Sequence, residues 1–340
     1  MTRSEILKLA ERIAGGRELT RDEALRLVGD DTVLDDLMAG ASSFTRGEVE
    51  FCSIVNARSG RCPNDCAFCA QSAHYETAAP TYDLLDADEI AAGAREAAAS
   101  GACRFSIVTS GPAVDDDAGF DRLCRAIGKI AALGTLGVCA SLGTLTPEQA
   151  LRLKAAGLGR YHHNLEASQK YYPRVCTTQD YGLKLDTLRA ARAAGLEVCS
   201  GGIFGLGETW DDRLDMAAAL REVGVDSVAI NFLVPIPGTP LDHQKKLHAD
   251  EALRIIATYR FIFPRTAIKV CGGREAILGD RQAEMFSAGA DGAMLGNYLT
   301  TPGRPPAEDL EMAAALGLTV CTHTPNSRDG GARGPRPTPR

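Results

Sequence analysis

Cys62, Cys66 and Cys69 follow one another at C-x3-C-x2-C spacing. Thiolates so spaced can wrap three irons of a four-iron cubane and leave the fourth iron open to an outside ligand. A closed structural zinc site normally shows four ligands, often as two C-x2-C pairs, and only three are offered here. The chain has 11 cysteines in 340 residues. An odd count in a long chain is a poor disulfide framework and a better sign of metal chemistry in a reducing compartment, so the expected location is cytoplasmic.

The elements that must position these thiols are legible as a repeat. From about residue 100 an Ala/Leu-rich amphipathic stretch repeatedly ends at a glycine, and a short β-branched run follows. Gly101, Gly134, Gly157, Gly195, Gly224 and Gly289 stand where a helix needs a left-handed residue after its last turn. Thr146, Pro147 and Gln149 give the opposite end, a capping box with proline at the first helical position. Strands are expected to begin near Val49, Cys103, Gly137, Arg160, Glu197, Ser227, Thr266 and Gly292. Eight strands alternating with helices predict an α/β fold, a (β/α)8 TIM-type barrel, with an open doubly wound sheet as the alternative. The expected organisation is a helical N-terminal extension over 1–44, the barrel over 45–325 and a Pro/Gly/Arg-rich disordered tail over 326–340.

Charge and hydropathy exclude several functions. With 37 Lys+Arg against 44 Asp+Glu the net charge is −7, which argues against coating nucleic acid or binding an anionic membrane through basic clusters. No apolar run approaches the roughly 18 residues of a membrane span. The N-terminus lacks the apolar stretch of a secretory leader.

Further candidates fall at strand ends. Asn164 and Glu166 are two apart near the end of the fourth strand and so share a face; strand-end capping is the plainer reading of both. His162 and His163 just before them point to opposite faces. Residues 201–208, GGIFGLGE, end the fifth strand with glycines that let a backbone approach a ligand, but this is no dinucleotide-binding G-x-G-x-x-G. Cys52, Cys139, Cys199 and Cys271 belong to strands one, three, five and seven, and four side chains from alternate strands fill one layer of such a barrel. These four are expected to converge on the axis, although buried cysteine also packs as a small hydrophobe.

The cysteine loop, with the aromatic Phe68 before its last thiol, resembles the radical S-adenosylmethionine (SAM) superfamily. The segments 59–75 (SGRCPNDCAFCAQSAHY), 163–168 (HNLEAS), 176–188 (CTTQDYGLKLDTL), 197–209 (EVCSGGIFGLGET), 230–241 (INFLVPIPGTPL) and 272–275 (GGRE) resemble the biotin synthase family in order. The resemblance implies a radical SAM sulfurtransferase that inserts sulfur into dethiobiotin after SAM is cleaved to a 5′-deoxyadenosyl radical. It implies a 4Fe-4S cluster on Cys62, Cys66 and Cys69, SAM near Asn164, Glu166, Gly205, Gly207 and Glu208, and substrate near Asn164 and Asn231. It also implies a flavodoxin or ferredoxin reductant, a homodimer and a second, sulfur-donating cluster.

At that second site the sequence departs from the family. Cys139 and Cys199 match two of its ligands, but Ser106 stands where another cysteine belongs and Lys269 where an arginine belongs. Ser and Lys are poor replacements around iron. Cys52 and Cys271 would complete an all-cysteine set better suited to four irons than to the family's two-iron cluster. Cys176 is a weaker alternative ligand, and Cys103, Cys124 and Cys321 read as structural. The competing functions are a related enzyme of the hydrogenase-cofactor or methylornithine type and a non-catalytic iron–sulfur redox protein.

Overall fold

Three helices, α1 (Arg3–Ala14), α2 (Arg21–Val28) and α3 (Leu34–Ser42), precede the first strand, β1 (Glu48–Arg58). Seven more parallel strands follow, separated mainly by helices. They are α4 (Ala87–Ala99), β2 (Arg104–Thr109), α5 (Asp117–Leu133), β3 (Gly137–Ser141), α6 (Pro147–Ala155), β4 (Arg160–His162), α7 (Tyr181–Ala193), β5 (Glu197–Phe204), α8 (Trp210–Val223), β6 (Ser227–Phe232), α9 (Ala249–Ile262), β7 (Ala267–Val270), the short α10 (Arg274–Leu278) and α11 (Glu284–Ser287), and β8 (Gly292–Met294). The computed structural model describes residues 1–321, so the expected disordered tail over 326–340 lies outside the described residues.

β1 pairs with both β2 and β8, which closes the sheet into a barrel rather than leaving it open. Each strand begins within one residue of its expected place. The signals are local. Capping boxes start α1 at Thr2, α2 at Thr20, α4 at Asp86, α6 at Thr146 and α8 at Thr209. Gly134 and Gly224 close α5 and α8 at φ 67° and 72°, a conformation that costs any residue with a Cβ. Outward-facing strand residues such as Phe105, Ile107, Val138, Tyr161, Val198, Val228 and Ile268 are buried under the helices and form the main core.

Two features were not foreseen. A two-residue strand, β9 (Thr319–Val320), follows α12 (Pro306–Ala315) and pairs in parallel with the first residues of β1. β4 is only three residues long, so Asn164 and Glu166 lie beyond it; pairing resumes as a bridge between Glu166 and Gly202. Among the described residues no helix is long and apolar enough to cross a membrane.

Candidate active site

β1 carries the chain to the barrel mouth, where residues 59–75 fold back on themselves. Cys62 N–H donates to Gln71 C=O at 3.0 Å and Ala73 N–H to Cys62 C=O at 2.7 Å. The Gln71 side chain accepts from Ser59 Oγ at 3.0 Å and Gly60 N–H at 3.2 Å, which fixes the base of the loop. Its far side is tied to the segment after β4: Ala67 N–H donates to Val175 C=O at 2.8 Å, and the Asp65 carboxylate accepts from Thr177 N–H at 2.8 Å and Thr178 Oγ1 at 3.0 Å.

Cys62, Cys66 and Cys69 all line one cavity of about 340 Å³ that runs from the mouth down the barrel axis. Among the described residues no three His, Cys, Asp or Glu side chains are gathered as around a single ion; a cubane takes each thiolate on a different iron. Burial raises the Cys69 thiol to about 11. The Cys66 thiol is pushed up by its hydrogen bond to Cys176 and by burial, and the same bond draws the Cys176 thiol down to about 5. Cys176 therefore sits against the loop, but it is not among the cavity-lining residues.

Asn164 and Glu166 also line this cavity. Glu166 takes φ 71°, uncommon for a residue with a side chain, and its N–H is held by Gly201 C=O at 3.2 Å. Asn164 Oδ1 and Glu166 Oε2 are buried without a hydrogen-bond partner among the described residues, leaving two acceptors free in the cavity wall. Burial raises the Glu166 carboxyl, partly offset by the charge of Lys184. Lys184, on α7, is 5% exposed, donates to Asn164 C=O at 3.2 Å and lies over the Tyr172 ring at 5.4 Å. Sequence reasoning missed it; the only signal was a charged residue on the inward face of an amphipathic helix. His162 and His163 both line the cavity wall instead of pointing to opposite faces, because β4 ends at His162 and its alternation stops there. Burial lowers both and favours their neutral forms.

The glycine-rich end of β5 is closely packed against neighbouring backbone. A Cβ on Gly201 would lie 1.8 Å from Ala229 C=O, and one on Gly202 would lie 2.5 Å from Glu166 C=O. At both positions neighbouring backbone occupies the space that a side chain would need. Gly205, Gly207 and Glu208 are not brought to the cavity. Glu208 is consumed internally: it accepts from Gly205 N–H at 3.0 Å and from Arg213 Nε at 2.8 Å.

Asn231 does reach the cavity, beside Cys271. Its Oδ1 accepts Gly272 N–H at 3.0 Å and its Nδ2 donates to Gly202 C=O at 3.2 Å, leaving one N–H and one lone pair for a neutral polar ligand.

Deeper in, the strand register identifies the axial layer. Cys52 pairs with Arg104 and Arg104 with Gly137; two residues up is Cys139. Cys139 pairs with Arg160 and Arg160 with Glu197; two up is Cys199. Cys199 pairs with Ser227 and Ser227 with Ala267; two up is Lys269. Lys269 pairs with Gly292 and Gly292 with Glu50; two up is Cys52 again. The circuit closes with the shear of eight of a (β/α)8 barrel. One layer therefore holds Cys52, Cys139, Cys199 and Lys269, and Cys271, two residues further along β7, sits in the next layer of the odd strands instead of completing it. The four thiols still neighbour one another in a ring: Cys52 feels the charges of Cys139 and Cys271, Cys139 that of Cys199, and Cys271 that of Cys199. Burial raises all four, Cys271 to about 12, so buried bare thiolates are disfavoured without a metal. Ser106 lines the same cavity, whereas Cys103, Cys124 and Cys321 do not.

Residues 57–220 match the Radical SAM superfamily, and residues 229–319 match the Biotin and Thiamin Synthesis associated domain. The chain is 51% identical over 319 residues to the biotin synthase of Geobacter sulfurreducens, an alignment covering 92% of this chain and 96% of that protein. The chain belongs to the biotin synthase family. It is also 48% identical over 318 residues to the biotin synthase of Pelotomaculum thermopropionicum, covering 92% of this chain and 99% of that one. Solved structures share the fold at much lower identity. A methylornithine synthase superposes with a TM-score of 0.80 at 17% identity, covering 92% of this chain and 97% of that chain. A FeFe-hydrogenase maturase from Carboxydothermus hydrogenoformans gives 0.78 at 18%, covering 94% and 79%. In this biotin synthase family member, radical SAM chemistry and an auxiliary cluster fit the donor sets present: three thiols on a mouth loop, orphaned acceptors beside them and four thiols around the axis.

Proposed function

We propose that the axial cavity converts dethiobiotin to biotin, with SAM held at the mouth and the sulfur source below it. The observation that carries this reading is that one cavity is lined at once by Cys62, Cys66 and Cys69, by Asn164 and Glu166, by Asn231 and by Cys52, Cys139, Cys199 and Cys271. When bound, the 4Fe-4S cluster supplies the electron that cleaves SAM and the auxiliary iron–sulfur cluster supplies the sulfur.

The residues of the chain bind and orient. Cys62, Cys66 and Cys69 hold the first cluster and leave one iron for SAM. Glu166 and Asn164 offer acceptors suited to ribose hydroxyls and an ammonium group, and Lys184 offers the cation for the SAM carboxylate. Asn231 presents its spare N–H and lone pair to the ureido ring of dethiobiotin. Cys52, Cys139, Cys199 and Cys271 ligate the auxiliary cluster, and an all-thiolate set favours four irons over two. Gly205, Gly207 and Glu208 act by shaping the turn that follows β5.

Eleven cysteines without a disulfide among the described residues suit a reducing cytoplasm. A flavodoxin- or ferredoxin-type reductant and a homodimer complete the reading by family resemblance. The hydrogenase-cofactor and methylornithine alternatives share the fold alone.

Anaerobic reconstitution followed by incubation with SAM, reductant and dethiobiotin tests the proposal. Both 5′-deoxyadenosine and biotin are expected; formation of neither overturns it. Iron and sulfide counts on a variant with Cys62, Cys66 and Cys69 all replaced by Ala size the auxiliary cluster separately.

A further inference from the structure

The floor of the axial cavity is ionic. Glu50 accepts from Arg104 Nε at 2.9 Å and Arg160 Nη1 at 3.3 Å, and Glu197 accepts from Arg160 Nε at 2.9 Å. Lys269 is paired with the same Glu50 carboxylate, and its Nζ lies 2.8 Å from Cys52 Sγ. Arg104, Arg160 and Lys269 are 8%, 6% and 3% exposed at the side chain, so these charges are fixed within the protein. Arg104 and Arg160 lie beneath the layer that holds Cys52, Cys139 and Cys199 and Lys269 lies within it, so three cations face two carboxylates and leave one positive charge in excess beside and below these thiols. Buried N–H donors with an excess positive charge suit an anionic group that accepts through sulfur. An ammonium ion-paired to a carboxylate has three donors and no lone pair, so it can hydrogen-bond to a cluster sulfur but cannot ligate iron.

We propose that Lys269 is a positioning residue that donates an N–H hydrogen bond to the auxiliary cluster through the Cys52 sulfur, while Cys271, two residues further toward the mouth on β7, supplies the fourth thiolate. The inference rests on the reading that a cluster occupies this ring. Because the amine fills the fourth place in its layer, a fourth thiolate would have to come from the mouth side, where Cys271 is the one of the four that lies higher. Above that layer Cys271 and Asn231 line the cavity, and below it Arg104 and Arg160 form the cationic floor. A hydrogen bond to a ligand sulfur, with positive charge nearby, raises the reduction potential.

The test uses the full chain with Cys62, Cys66 and Cys69 replaced by Ala, so that only the auxiliary cluster is loaded. In its one-electron-reduced state, pulsed electron paramagnetic resonance should show a proton coupling that disappears in D2O. With 15N-lysine labelling it should show no directly bonded nitrogen. Lys269→Met should lose the exchangeable-proton coupling and shift the midpoint potential downward, whereas Lys269→Arg should retain the coupling and most of the potential. A directly bonded lysine nitrogen, the absence of any exchangeable proton, or a Lys269→Met protein with full iron and unchanged potential would each overturn the inference. If Lys269→Met fails to load, the two spectra of the parent protein decide. A parent that binds no iron refutes the auxiliary-cluster reading itself, whereas an iron-loaded parent with a silent Lys269 refutes only the role given to that residue.

Discussion

The Asp65 carboxylate accepts the Thr177 N–H at 2.8 Å, and through that bond the three-cysteine loop is fastened to the segment following β4. Partial burial alone would raise this carboxyl, but the bonds from Thr177 and Thr178 hold it well below the usual range. A depressed folded-state value means the attachment is complete above the ordinary carboxylate range near pH 4 and fades only as the pH falls through the lower, folded value.

Replacing Asp65 with Ala should therefore free the loop at neutral pH without unfolding the barrel. The expected outcome is iron release from the SAM cluster to a chelator several-fold faster than in the parent. Far-ultraviolet circular dichroism should be unchanged. Lowering the pH from 7 to 5 should leave the parent's release rate unaffected by Asp65, because its carboxyl stays ionised across that window.

Glu166→Gln tests the orphaned acceptor beside the cluster loop. Loss of a hydrogen bond to a charged group costs about 1.5–3 kcal/mol, so the KM for SAM should rise about tenfold or more, given about 1.4 kcal/mol per tenfold. Iron content should not change. An unaltered KM would remove Glu166 from the SAM site.

Asn231→Ala should act on both stability and substrate. It strips a partner from the Gly272 N–H and the Gly202 C=O, and an unsatisfied buried group costs about 1–3 kcal/mol. Denaturant unfolding of the metal-free protein should report a loss of about that size. The KM for dethiobiotin should rise in the reconstituted enzyme while 5′-deoxyadenosine is still formed.

Gly201→Ala asks whether that glycine serves packing. The added methyl would meet Ala229 C=O at 1.8 Å, and backbone atoms of paired strands cannot yield as a flexible side chain does. Thermal unfolding should show destabilisation of several kcal/mol or loss of soluble protein, consistent with a severe core clash. SAM affinity in any folded fraction should be unchanged.

Much of the architecture was written locally. Capping boxes, the glycines that end helices, and β-branched runs act within a few residues, so eight strand positions and their alternation with helices followed from sequence alone. The C-x3-C-x2-C spacing likewise needs only one loop. Glu208 shows the limit. Its place in a glycine-rich segment resembles a ligand contact, yet Arg213, one turn into α8, captures its carboxylate. Lys184 shows the converse, a helix residue whose approach to Asn164 depends on how α7 packs against β5 and its neighbouring helices.

The sequence by itself determined that thiols on alternate strands face the barrel interior, because side-chain direction follows the two-residue period of a strand. Only the tertiary structure decided that Lys269, not Cys271, shares a layer with Cys52, Cys139 and Cys199. Depth along the axis depends on the stagger between neighbouring strands, and that stagger is set by hydrogen bonds around the whole barrel.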